Sequence, residues 1–264
     1  MNRHCENLCW NTPAADWNEA IPLGNGSIGA MVFGNPDGET IALNHDTLWS
    51  GRPNNRLNPA VRDALPETIR LIKNGKYRKA DSCLQKSLGM LRTNSYLPAG
   101  TLHILFGNEG RAADFLRELD LASACAKIKY VKDAVTFERE MFVSYPDRIL
   151  AMKLNSSGKN KISFSAYFSS DFPFRTMEDH GTLLFLSNMP AESGSSYFKW
   201  YDQEGHTGIS YAMRLGISVQ GGTLQFKDNA LLVEHSDSAE IFLSVETNFR
   251  DYKTNPEASG IDCA

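Results

Sequence analysis

The densest run of chemistry-capable side chains is Asn44-His45-Asp46-Thr47-Leu48-Trp49-Ser50-Gly51-Arg52. It sets amide, imidazole, carboxylate, indole and guanidinium groups within nine residues, directly after the apolar run Ile41-Ala42-Leu43. That mixture suits a sugar, because planar polar groups bracket hydroxyls while an aromatic face covers C–H patches. Asn44, His45, Asp46, Trp49 and Arg52 are therefore the candidate substrate-binding residues. An architectural reading also fits, in which Asp46 and Thr47 cap a turn and Trp49 fills the core. Residue types alone leave both open.

Two other constellations invite chemistry. Gly24-Asn25-Gly26-Ser27-Ile28-Gly29 matches G-x-G-x-x-G letter for letter. A dinucleotide loop of that form follows a strand and opens a helix, whose N-terminus receives the pyrophosphate. Here a short apolar strand follows, closed by Gly34-Asn35-Pro36, so the glycines are expected in a tight strand-to-strand turn. Glu138 and Glu140 share a strand face, roughly 6–7 Å apart, a spacing at which two carboxylates can flank a glycosidic bond. Alternating charge on a strand is more often its wet face. No G-x-S-x-G, H-E-x-x-H or P-loop occurs, so no residue is assigned a catalytic role. The five cysteines are scattered without a C-x-x-C and no His or Cys cluster completes a tetrahedral set, so no metal and no cofactor is expected.

The elements that must hold these groups are mostly strands. Val135, Phe137, Met141 and Val143 recur on one parity with Thr136, Glu138 and Glu140 on the other, and Ile162, Phe164, Ala166 and Phe168 repeat the spacing, as do Ile241, Leu243 and Val245. That period of two marks half-buried strands. Ser157-Gly158, Gly221-Gly222 and Asp228-Asn229 punctuate the runs as hairpin turns, so the second half reads as an antiparallel meander. One helical interval interrupts: Val61, Leu65, Ile69 and Ile72 fall on one face, Tyr77, Ala80, Leu84 and Leu88 on another, with Asn74-Gly75 between. The expected architecture is mainly β, a large antiparallel β-sandwich with an inserted helical hairpin near 59–90.

Size and charge agree with a single globular domain over residues 1–264, its core at about 10–250. Twenty-seven basic against 31 acidic residues offer no cationic footprint, which argues against nucleic acid and membrane surface as partners. Residues Met1 to Trp10 lead into no apolar segment of signal-peptide type, so the expected compartment is the cytoplasm, unless the true start lies elsewhere.

Read in order, several stretches resemble the N-terminal domain of the α-L-fucosidases of glycoside hydrolase family 95. They are Trp17 with Ala20-Ile21-Pro22-Leu23-Gly24-Asn25-Gly26, Gly29-Ala30-Met31-Val32-Phe33-Gly34, and Leu43-Asn44 with Asp46-Thr47-Leu48-Trp49-Ser50-Gly51. Asn58-Pro59, Tyr96-Leu97-Pro98, Arg117-Glu118-Leu119-Asp120-Leu121, Arg139-Glu140 and Ser144-Tyr145-Pro146-Asp147 follow. His45 departs from the pattern, standing where the family usually has a carboxylate.

The resemblance implies a β-supersandwich that precedes an (α/α)6 catalytic barrel. In the family, that barrel holds the acid and base of an inverting hydrolysis of terminal α-L-fucosyl linkages. The barrel is absent from this chain, so the expectation is a non-catalytic domain, its partner the helical domain and the whole enzyme's substrate a fucosylated glycan. Two alternatives stay open: a free-standing carbohydrate-binding module, and the sandwich of a related phosphorylase.

Overall fold

A computed structural model describes residues 7–51, 53, 59–88, 94–107, 110–190 and 208–263. Arg52 and residues 191–207 are among those outside the described residues. The strands are β1 (Asn7–Trp10), β2 (Ile21–Gly24), β3 (Ile28–Val32), β4 (Gly38–His45), β5 (Gly100–Phe106), β6 (Ala113–Asp120), β7 (Cys125–Lys132) and β8 (Val135–Val143). There follow β9 (Ile149–Ser156), β10 (Ile162–Ser169), β11 (Phe174–Asp179), β12 (Thr182–Asn188), β13 (Ser210–Gln220), β14 (Thr223–Lys227), β15 (Ala230–Ser236) and β16 (Ser238–Thr247). Helices α1 (Pro59–Lys73) and α2 (Tyr77–Leu88) are inserted between β4 and β5.

The strands form two antiparallel sheets. One has nine strands in the order β1-β6-β7-β8-β9-β16-β13-β12-β11, the other seven in the order β14-β15-β10-β5-β4-β3-β2. The expected sandwich is thus observed. Its core is one contiguous cluster drawing on both sheets, with Leu102, Ile104 and Phe164 from one and Met152, Phe185 and Ile241 from the other. The period-two alternation explains it, since every second residue of β10 and β16 is buried.

Connectivity departs from the expected meander. Of the three turn signals, only Asp228-Asn229 joins paired neighbours, β14 and β15, with both residues at positive φ as a two-residue hairpin requires. Ser157-Gly158 carries the chain from β9 in the larger sheet to β10 in the smaller, and Gly221-Gly222 from β13 to β14 across the same gap. Alternation reports which side of a strand is buried; it is silent on which sheet the strand joins.

Charge crosses the gap too. Arg139 of β8 is buried against Glu39 of β4, its Nη1 donating to Glu39 Oε2 at 2.6 Å and its Nη2 to the Asn35 carbonyl at 2.8 Å. The guanidinium lies 4.4 Å from the ring centre of Phe106 and 5.2 Å from that of Tyr130. Glu39 also accepts from the Gly34 amide at 2.7 Å.

The helical hairpin appears where expected. Gly75, at φ 69°, ends α1 with its amide donating to the Ile72 carbonyl while Lys76 donates to Leu71, the paired bonds of a Schellman cap. In α1 the buried face is not the expected one: Thr68 and Leu71 are buried, whereas Leu65, Ile69 and Ile72 are exposed. In α2 the expected Ala80 is buried and Leu84 and Leu88 are partly so, while Tyr77 is exposed. The two helices pack on each other and make only slight contact with the strands. Among the described residues no helix is long and apolar enough to cross a membrane.

Candidate functional site

The loop after β4 lies at one end of the sandwich, and backbone bonds pin it on several sides. Asp46 N–H donates to the Ser27 carbonyl in the β2–β3 turn at 2.9 Å, Leu97 to Leu48 at 3.0 Å, and Gly51 to Pro190 at 2.8 Å. Ser50 is buried, donating its amide to the Ser95 carbonyl and accepting from the Ser95 amide through Oγ at 2.9 Å. A segment so tethered is preorganised, the property a recognition loop needs.

The four described candidates, Asn44, His45, Asp46 and Trp49, do not converge on one point. Asn44 lies on the outer face of the seven-stranded sheet opposite Gly29, its Oδ1 accepting from the His45 amide at 2.9 Å. His45 occupies the next position along the strand, so its ring goes to the interior side. There Nδ1 lies 2.9 Å from Thr47 Oγ1, 3.3 Å from the Thr47 amide and 3.1 Å from Asp46 Oδ1. Burial lowers the imidazole pKa, outweighing the opposing pull of Asp46 and Glu246, so the neutral ring is favoured. His45, rather than Asp46, therefore holds the turn. Thr47 Oγ1 continues across the gap to Thr247 Oγ1 at 2.7 Å, tying the loop to the last strand of the other sheet.

Trp49 does not fill the core. Leu48 does, at 0% exposure, while Trp49 is 43% exposed on the rim. The indole donates to the Asp46 carbonyl at 2.9 Å and lies 5.0 Å from the Tyr96 ring, tilted by 45°. Burial, helped by the Asp46 carboxylate, raises the Tyr96 phenol pKa, so the hydroxyl is a neutral hydrogen-bond donor and acceptor. Trp49, Tyr96 and Asp46 together form an open aromatic shelf with a carboxylate beside it. Tyr96 escaped sequence reasoning because an isolated β-bridge between Trp49 and Tyr96 makes the pairing, across a long insertion. The Tyr96-Leu97-Pro98 run was the available signal.

The other two constellations resolve simply. The G-x-G-x-x-G stretch is the hairpin turn between β2 and β3, where Asn25 Oδ1 accepts from the amides of Ser27 and Ile28 at 2.9 and 2.8 Å. Glu138 and Glu140 point outward from β8 and pair with Lys129 and Lys127 on β7, at 2.6 and 3.3 Å. Each carboxylate faces a lysine on an open sheet surface rather than a cleft. Among the described residues no group of three or more His, Cys, Asp or Glu side chains is placed to hold a metal ion.

Comparison with known proteins places this geometry. Alpha-L-fucosidase 2 of Arabidopsis thaliana is 30% identical over 273 residues, covering 97% of this chain and 32% of that protein. A probable alpha-fucosidase A of Aspergillus niger is 28% identical over 253 residues, 91% of this chain and 30% of its own length. The chain thus spans about a third of the length of these relatives. A solved structure assigned as a kojibiose phosphorylase from the human microbiome superposes with a TM-score of 0.51 at 9% identity, over 94% of this chain and 32% of that one, which shows a shared fold. The family profile described as glycosyl hydrolase family 65, N-terminal domain, matches residues 8–252, and the chain belongs to that family of N-terminal sandwich domains.

Proposed function

We propose that this chain is the non-catalytic N-terminal domain of an inverting glycoside hydrolase of the α-L-fucosidase type, family 95. It supports, through a sheet face, a helical (α/α)6 domain that cleaves terminal α-L-fucosyl linkages. The observation that carries this reading is the similarity to two fucosidases along nearly the whole chain but only a third of their length. Inversion needs an acid and a base on opposite faces of the sugar. Glu138 and Glu140, the carboxylates the sequence offers as such a pair, are each engaged by lysine. The resemblance to family 95 assigns the acid and base to the helical domain. Incubation of the purified chain with a chromogenic α-L-fucoside is expected to release no chromophore; turnover that survives repurification overturns the reading.

A second reading, a carbohydrate-binding module, draws on the exposed shelf of Trp49 and Tyr96. Aromatic faces at the surface bind sugar C–H patches. Calorimetric titration with a fucosyl oligosaccharide separates the two: heat that disappears in Trp49→Ala favours the module, and silence favours the scaffold. The sandwich shared with the phosphorylase structure reports architecture and does not choose between hydrolysis and phosphorolysis.

A further inference from the structure

We infer that the outer face of the seven-stranded sheet, and not that of the nine-stranded sheet, is where the helical domain docks; this rests on the reading that the chain is the sandwich of a larger hydrolase. The two outer faces differ in kind. On the nine-stranded sheet, outward positions of β7, β8, β9 and β16 form ion pairs, Lys129 to Glu138 at 2.6 Å, Lys127 to Glu140 at 3.3 Å and Lys153 to Glu240 at 3.5 Å, every side chain about half exposed. That is the composition of a face that stays in water.

The seven-stranded sheet has no such ladder. Its five strands β10-β5-β4-β3-β2 hold a single Asp, Glu, Lys or Arg, Glu39, and that one is buried on the inner side, so none points outward. β5 turns out Thr101, His103 and Leu105, and β10 turns out Ser165, Tyr167 and Ser169. Leu105 is exposed, and His103 stacks on Tyr167 at 5.0 Å between ring centres while its Nε2 lies 2.8 Å from Ser169 Oγ. Burial lowers the His103 pKa, so this ring too is uncharged at neutral pH. Depletion of charge with aromatic rings retained distinguishes the centre of an interface from ordinary surface.

Size selects the occupant. Five strands about 4.8 Å apart, each contributing about five residues at about 3.4 Å, make a patch of roughly 400 Å² on one side. Counting both partners, roughly 800 Å² lies within the roughly 600–1,500 Å² of contacts between domains of one chain. It falls short of the roughly 1,200 Å² that separately diffusing partners need, which sets aside a second copy. A tethered domain needs less area, because the tether holds it at high effective concentration. The two fucosidases carry about two thirds of their length outside the matched region, and that remainder supplies such an occupant.

The test is a chimera in which this chain replaces the matched third of alpha-L-fucosidase 2 of Arabidopsis thaliana, compared with the chain alone. Thr101→Lys/Ser165→Lys places two charges on the seven-stranded face, and Phe142→Lys/Ser218→Lys places two on the nine-stranded face. In the chain alone neither pair is expected to move the urea midpoint appreciably, because a lysine at a partly exposed position reaches water. In the chimera the first pair is expected to shorten the half-life of fucoside turnover on heating at least about tenfold, and the second to leave it unchanged. If Thr101→Lys/Ser165→Lys unfolds the chain alone, Leu105→Lys, at an exposed position, must produce the same shortening. An active chimera indifferent to charge on the seven-stranded face, or sensitive only to charge on the nine-stranded face, overturns the inference and leaves the domain reading standing. An unsubstituted chimera without turnover overturns the domain reading and the inference with it.

Discussion

Arg139 on the nine-stranded sheet and Glu39 on the seven-stranded sheet meet at 2.6 Å in the sandwich interior, neither with appreciable solvent exposure. Glu39 satisfies its second oxygen with the Gly34 amide, so the pair is embedded in hydrogen bonds as well as charge.

Removing one partner leaves the other charge buried and alone. Arg139→Met is therefore expected to lower the unfolding free energy by about 3–5 kcal/mol in urea denaturation. Lys129→Met, which breaks the exposed pair with Glu138, is expected to cost less than about 1 kcal/mol. Equal effects would mean that the buried pair is not what fastens the two sheets.

Leu48 and Trp49 make a second contrast between adjacent residues. Truncating a fully buried leucine removes its transfer energy and leaves a cavity, so Leu48→Ala is expected to cost about 2–5 kcal/mol. Trp49→Ala sheds contacts to one partner ring at the rim, and a loss of about 1 kcal/mol is expected. Denaturation midpoints that rank the two the other way would restore the indole to the core.

His45 supplies a pH dependence. Its folded pKa lies below the unfolded value of 6.5, chiefly through burial. The unfolded chain then binds the proton more readily, so the contribution is complete above about pH 6.5 and is lost as pH falls through the lower folded value. His45→Gln is expected to flatten the part of the stability–pH curve between pH 7 and the folded pKa that this ring causes. His103, whose pKa burial also lowers, leaves a residual slope. An NMR titration placing His45 above 6.5 would reverse the sign.

Much of this fold was legible because burial leaves a period in the sequence. The alternation at 135–143, 162–168 and 241–245 locates β8, β10 and β16, and the helical hairpin ends within two residues of its expected span. What the pattern lacks is the choice of sheet, since Ser157-Gly158 and Gly221-Gly222 look like hairpin turns yet bridge the two layers. In α1 the apolar row Leu65, Ile69 and Ile72 suggested a buried face, but Leu71 took the inner position. A periodic row marks a surface that avoids water and does not say what will cover it.

At the candidate site, residue types pointed to the right loop but not to its internal division of labour. Asn44 and His45 are adjacent and therefore turn to opposite sides of a strand. Trp49 found Tyr96, and Thr47 found Thr247, two hundred residues away. Contacts of that range leave no local trace in composition.

The position of β16 has a consequence for synthesis. β16, the last strand of the sandwich among the described residues, lies in the interior of the nine-stranded sheet, between β9 and β13. Until residues 238–247 leave the ribosome, both neighbours carry an unpaired edge, the kind of surface that recruits strands from other molecules. A nascent chain stalled before that point would be an aggregation hazard, and the emergence and pairing of β16 is the step that makes it safe.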